Sequence, residues 1–149
     1  MWKQCICMAA LVGALAFAHI LPMESRGERS VASAQHRVVM HLNSGDEKVQ
    51  RGALNNIRHL YQELGREGLH LELVVHGTGL GLLTKKTTTF GGELAQLKAE
   101  FGVRYTACSN TMKAMKITRD DLVDEVGDTV PAMVRLMERQ EQGWAYIKP

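Results

Sequence analysis

Three side chains able to do acid–base or nucleophilic chemistry stand at the ends of short apolar runs: His41 in HRVVMHL, His76 in LHLELVVH and Cys108 in VRYTAC. A cysteine just before a helix start lies among unpaired backbone N–H groups and at the positive end of the helix dipole, and both favour thiolate over thiol. Thiolate is the reactive form. Histidines beside it could orient the sulfur, shuttle a proton or ligate a metal together with it. No HxxxH or CxxC spacing accompanies them, so no metal is assigned, and a histidine at a strand end also serves by bonding to the backbone. Position alone equally admits Cys108 as a small buried hydrophobe.

Asn43, Gly77, Gly79, Ser109, Asn110 and Thr111 follow the same three runs and are the candidate pocket residues. The backbone of residues 109–111 would steady a negative sulfur. The ordinary role of Asn43, Asn110 and Thr111 is capping or turn hydrogen bonding. The glycines of HGTGLG alternate at 77, 79 and 81 and do not meet the GxGxxG dinucleotide fingerprint. They predict a tight turn in which backbone approaches a ligand or a neighbouring strand. No cofactor is implied.

The elements that must position these residues alternate. Residues 36–42 and 69–76 read as buried strands, 103–107 as a third, 129–130 as a fourth and 144–147 as a short last one. Between the first two, Val49, Ala53, Ile57, Leu60, Tyr61 and Leu64 keep helical spacing, with Asp46 as N-cap and Gly65 or Gly68 as stop. Leu94, Leu97 and Phe101 mark a helix over 92–101 closed by Gly102, and residues 109–115 a shorter one. KKTTT (85–89) reads as an exposed loop. Thr118 is expected to cap a helical turn over 119–126, and Pro131 to open a helix running to about 142 with Met133, Val134 and Met137 inward. Strands alternating with helices predict an α/β sandwich around a mostly parallel sheet. In such a sheet the C-terminal strand ends share one edge, where ligands bind, and His41, His76 and Cys108 fall there.

The N-terminus is a separate matter. One positive charge at Lys3 precedes the apolar run 5–21, the pattern of a secretory signal peptide. Cleavage is expected after Ala34, with Ala18 as the alternative site, giving a signal segment 1–34 and a domain 35–149; uncleaved, the run would be a membrane anchor. Removing 1–34 takes three of eighteen basic and two of sixteen acidic residues, leaving fifteen and fourteen. So balanced a charge gives no footprint for nucleic acid. Cys5 and Cys7 would go too, leaving Cys108 as the sole thiol of a periplasmic or secreted protein, where a lone cysteine marks a reactive or intermolecular thiol.

The segments VVMHLN (38–43), NNIRHL (55–60), VVHGTGLGLL (74–83), FGVRYTACSNTMKAMKI (101–117) and VPAMVRLMERQEQGWAYIKP (130–149) resemble the DsrE/DsrF-like proteins, more closely their small exported branch. CxNT at 108–111 and QxxGxxYIKP at 140–149 carry the resemblance most specifically. It implies a three-layer α/β/α sandwich with a five-stranded sheet, assembly into homotrimers or homohexamers, and a sulfur-carrying persulfide at the position of Cys108, exchanged with a donor or acceptor protein. Sulfur-relay members carry an Arg-Gly pair where this chain reads Met115-Lys116-Ile117. The expected function is an exported thiol-handling or sulfur-carrier protein with Cys108 as nucleophile and His76 or His41 moving protons. The alternative is a non-enzymatic oligomeric protein that binds a small ligand or metal, with Cys108 as lining.

Overall fold

The computed structural model describes residues 35–149; the apolar run and both candidate cleavage sites lie outside the described residues. In chain order the elements are β1 His36–Leu42, α1 Glu47–Leu64, β2 Leu69–Val75, a 3-10 helix Gly77–Leu83, α2 Gly91–Phe101, β3 Arg104–Cys108, α3 Ser109–Met115, β4 Val126–Val130, α4 Ala132–Glu141 and β5 Ala145–Ile147. The sheet has five strands in the order β4-β3-β2-β1-β5, and every pairing is parallel.

The strand order explains the layers. From β1 to β4 the chain steps steadily in one direction, then β5 returns to the far side of β1. Parallel crossovers are right-handed, so reversing direction moves the connecting helix to the opposite face. The α1 and α2 side chains Ala53, Leu54, Ile57, Leu94 and Leu97 accordingly pack with Met40, Leu42, Leu71, Leu73 and Tyr105 in the main core. The α4 side chains Ala132 and Leu136 pack with Val39, Val74, Cys108 and Trp144 on the other face. Local signals agree with this chain path. Asp46 caps α1 through Oδ1, which accepts the N–H groups of Lys48 at 2.8 Å and Val49 at 3.1 Å, and Gly65 closes it at φ 73°.

The orientation of α4 reverses the sequence expectation. Met133, Val134 and Met137 are outward, 56%, 45% and 52% exposed, while Arg135 and Arg139 turn toward the sheet. The reason is Glu72, which is fully buried in the middle of β2. A carboxylate there must be compensated. Its Oε2 accepts from Arg139 Nε at 2.6 Å, Oε1 accepts from the Thr106 hydroxyl at 2.6 Å, and Arg135 Nη1 stands 3.6 Å from Oε1. The Arg139 guanidinium also lies 4.5 Å over the Trp144 ring. Burial of Leu136 contributes about 2 kcal/mol. That is the only large apolar anchor of α4, so the ion pairs decide which face turns inward.

No helix forms over 119–126, where only the isolated turns Arg119–Leu122 and Val123–Val126 occur. Asp121 Oδ2 instead accepts both the N–H and the hydroxyl of Thr118 at 2.7 Å, so the aspartate holds the threonine. Lys85 N–H donates to Asp121 O and Val123 N–H to Leu83 O, which stitches this segment to the chain leaving the 3-10 helix. Backbone pairing with a neighbour outcompetes a turn containing two adjacent aspartates, a poor helix former. The fourth strand is correspondingly longer than 129–130 and begins at Val126.

Candidate functional site

Side chains alternate along a strand, so the residues of one face can be read off the register. Val39 and His41 of β1, Glu72 and Val74 of β2, and Thr106 and Cys108 of β3 share the α4 face, and His76 continues that parity one residue past β2. Val75 pairs with Ala107, which puts the next positions, His76 and Cys108, side by side on neighbouring strands. The expected trio therefore occupies one edge and one face. His41 is the penultimate residue of β1.

Cys108 ends β3 and is the N-cap residue of α3. It is buried, 6% exposed, and is the free cysteine among the described residues. The Ala132 N–H, at the start of α4, donates to Sγ at 3.4 Å. Burial pushes this thiol up. The Ala132 N–H, the Thr111 hydroxyl and the N–H groups of Thr111 and Asn110 outweigh that burial and bring it below the ordinary thiol value. Hydrogen bonds to the charged form favour thiolate. The sulfur is thus held between the first residues of two helices, one from each side of the strand end.

The histidines form a chain. His41 Nε2 lies 2.6 Å from His76 Nε2, and His41 Nδ1 lies 2.6 Å from the Tyr146 hydroxyl. The ring centroids of the pair are 4.8 Å apart at an interplanar angle of 21°, so the rings meet corner to corner and nearly coplanar, as an N–H···N bond requires. Burial first, then the His76 and Lys148 charges, lower the His41 value; burial and Lys148 lower that of His76. Both imidazoles are therefore biased to the neutral form, with one donor and one acceptor each. Tyr146 is not among the candidate residues that the sequence offers. Its pairing with Val39 across β1 and β5 brings it onto the site face beside His41. Trp144, the other aromatic of that segment, is buried against Arg139.

The remaining candidate residues divide into two groups. Thr111 bridges toward the site: its hydroxyl oxygen accepts the Gly77 N–H at 3.0 Å while the same hydroxyl bonds Cys108. Asn110 contributes its N–H, and Ser109 lines an open groove of about 490 Å³ beside α3 together with Lys113, Lys116 and Arg119. Asn43 and Gly79 meet each other instead. The Asn43 carbonyl accepts the Gly79 N–H at 3.3 Å, and a Cβ on Gly79 would come within 3.0 Å of Asn43 backbone. The glycine run is thus a close approach of two strand ends, with Gly77 at φ 56°. Among the described residues no group of three or more His, Cys, Asp or Glu side chains is placed to hold a metal ion. No helix among them is long and apolar enough to cross a membrane.

A family model, the DsrE/DsrF-like family, matches residues 37–149. The chain belongs to the DsrE/DsrF-like family. Among solved structures, a protein of unknown function from Methanobacterium thermoautotrophicum is 32% identical with a TM-score of 0.72, the match covering 77% of this chain and 100% of that one. The ychN protein of E. coli shares the fold at 16% identity and a TM-score of 0.58, covering 77% of this chain and 99% of its own. A conserved protein of unknown function from Bacteroides thetaiotaomicron does so at 15% identity and a TM-score of 0.55, over 76% and 94%. No curated protein matches the chain. The five-stranded α/β/α architecture is thus that of its DsrE-like relatives.

Proposed function

We propose that this DsrE/DsrF-like protein carries sulfane sulfur on Cys108. The observation that supports the reading is the set of donors converging on Sγ from Ala132, Thr111 and Asn110, which makes the sulfur both a better nucleophile at neutral pH and a better leaving group. In the loading step the Cys108 thiolate attacks the outer sulfur of a persulfide donor. A new S–S bond forms, the donor's S–S bond breaks, and the donor's inner sulfur departs as a thiolate that takes a proton. In the unloading step an acceptor thiol gives up its proton and attacks the outer sulfur of the Cys108 persulfide, which returns Cys108 as thiolate. No oxidant is consumed. The neutral histidine pair is suited to supply the first proton and take back the second.

Mass spectrometry after incubation with polysulfide or thiosulfate tests this: wild type gains about 32 Da on Cys108 and Cys108→Ser gains nothing. An unmodified wild-type thiol that also alkylates no faster than free cysteine at pH 7 refutes it.

Two further parts of the reading concern assembly and location. Met133, Val134 and Met137 form an exposed apolar strip on the outer face of α4. A strip of this kind on a small domain is suited to burial against another copy, and a homotrimer or homohexamer is the assembly proposed. Light scattering on wild type and on Met133→Glu/Met137→Glu decides: the variant dissociates to monomer, and a monomeric wild type refutes the assembly. Residues 1–34 are read as an export signal removed after Ala34. N-terminal sequencing of the exported protein checks both the removal and its position.

A further inference from the structure

We propose that Tyr146 is a positioning residue of the Cys108 site: its hydroxyl fixes where the protons sit on the His41–His76 pair and forms the solvent end of a proton path along the sheet edge. The inference rests on the sulfur-carrier reading for its role but not for its test.

The geometry comes first. The reversal of chain direction in the sheet lies between β1 and β5, since β1 leads on to β2 while β5 arrives from β4 on the other side. Ligands of open parallel sheets bind at the carboxyl ends of the strands at such a switch point. The Tyr146–His41 bond, 2.6 Å long, spans β5 and β1 there, and the His41–His76 bond, also 2.6 Å, carries on to β2. The register then sets Cys108 on β3 beside His76. Four successive strands, β5, β1, β2 and β3, thus contribute one polar side chain each in a row. Tyr146 is 42% exposed, His76 is half-buried and His41 is 8% exposed, so the phenol is the most exposed member of the row.

The chemistry then fixes a direction. A phenol O–H is a stronger donor than a neutral imidazole N–H, and an imidazole nitrogen is a better acceptor than a phenol oxygen. Tyr146 therefore donates to His41 Nδ1. His41 is left with its proton on Nε2, which donates to His76 Nε2. That nitrogen must accept, so His76 carries its proton on Nδ1. When His76 gives up the Nδ1 proton, the Nε2 proton of His41 moves to His76, the phenol proton moves to His41 Nδ1, and solvent reprotonates the phenol. The chain ends with as many protons as it began with and with both rings in the opposite tautomer. A proton returned to His76 runs the sequence backwards. Loading of Cys108 needs one proton for the departing thiolate, and unloading returns one from the acceptor thiol, so a full cycle resets the rings.

The test is heteronuclear NMR of ring-labelled histidine in the full-length protein, which reports tautomers directly and needs no sulfur chemistry. His41 is expected as the Nε2–H form and His76 as the Nδ1–H form. In Tyr146→Phe the lock is gone: His41 becomes a mixture and His76 shifts toward Nε2–H, with an otherwise unchanged spectrum. His76 found as Nε2–H in wild type, or ring signals indifferent to Tyr146→Phe, overturns the proposal. Persulfide loading of Cys108, measured on the same samples, is expected to slow by about tenfold in Tyr146→Phe, less than the roughly 10²–10⁴-fold of a whole acid–base group because both histidines remain. An equal loading rate in the two proteins overturns the proton path. A wild type that takes no sulfur at all counts against the sulfur-carrier reading, while the tautomer result still decides the placement of the protons.

Discussion

Replacing Glu72 by Gln should unlatch α4 and, through it, disarm Cys108. In wild type the Glu72 carboxylate is fully buried, with Arg139 Nε at 2.6 Å on one oxygen and the Thr106 hydroxyl at 2.6 Å on the other. The amide keeps an acceptor for Thr106 but turns an NH₂ toward Arg139, donor against donor. Removing one partner of a buried ion pair costs about 3–5 kcal/mol. Arg135 keeps Asp128 at 3.2 Å, and Arg139 keeps Gln142 at 2.9 Å and its place over Trp144, so the low end of that range applies. A loss of about 3 kcal/mol corresponds to roughly 12 °C in Tm for a domain of this size. Because the first N–H of α4 donates to Cys108 Sγ, a loosened helix also withdraws a donor from the sulfur. The thiol should then alkylate more slowly at pH 7. Urea denaturation of Glu72→Gln, Arg139→Gln and the double variant measures the coupling, and the double variant should lose much less than the sum of the singles. A single variant within about 1 kcal/mol of wild type, or strictly additive losses, would show that the pair does not hold α4 and would refute the reasoning.

Other expectations follow from single contacts. Thr111→Val removes the hydroxyl that bonds Cys108 and accepts Gly77 N–H, so iodoacetamide should react with Cys108 about tenfold more slowly, the worth of one charge-assisted hydrogen bond of roughly 1.5 kcal/mol, while Thr111→Ser should react as wild type. Gly79→Ala drives a methyl to 3.0 Å from Asn43 backbone and should destabilise by about 1–3 kcal/mol in chemical denaturation, whereas Gly52→Ala, with open space around it inside α1, should stabilise by about 0.5–1 kcal/mol. His41 and His76 both have lowered values in the folded state, so the unfolded chain binds their protons first. Stability should be intact above about pH 6.5, decline as the pH falls below it, and level off once the folded-state histidines have titrated. His76→Asn should flatten that decline, and an unchanged slope would argue against the shift.

What the chain disclosed in advance was whatever depended on neighbours in sequence. Asp46 and Gly65 bound α1 as their backbone preferences require, and the apolar runs place the first three strand ends, hence His41, His76 and Cys108, without knowledge of what packs on them. What it hid depended on partners far away. The outer strip Met133, Val134 and Met137 and the inner set Arg135, Leu136 and Arg139 both satisfy helical spacing, so periodicity cannot choose between them. The choice is made by Glu72, 67 positions before Arg139. A signal existed in LHLELVV, where an acidic residue in the middle of a strand buried on both faces demands a cation from the facing helix. Tyr146 was hidden for a different reason: three residues of strand give no period, and only the pairing of β5 beside β1 turns its side chain toward His41.

The same chain reversal accounts for both the site and its exposure. Three connections put α1, α2 and α3 on the side of the main core, and one connection, α4, must serve the whole of the other face. One helix about 10 Å across cannot cover five strands spaced about 4.8 Å apart. Among the described residues the less covered strip lies beyond the α4 N-terminus, where the exposed Tyr146 and the half-buried His76 are joined by the buried His41, polar side chains where a covered face would carry valine or leucine. Cys108 sits at the margin, deep enough to be buried yet bonded to the first turn of the covering helix. A thiolate needs donors and shielding, whereas an exchanging proton needs a route to water. The boundary between the covered and uncovered halves of this face supplies both within adjacent strands, which is the physical ground for reading it as a site of chemistry rather than as an unfinished core.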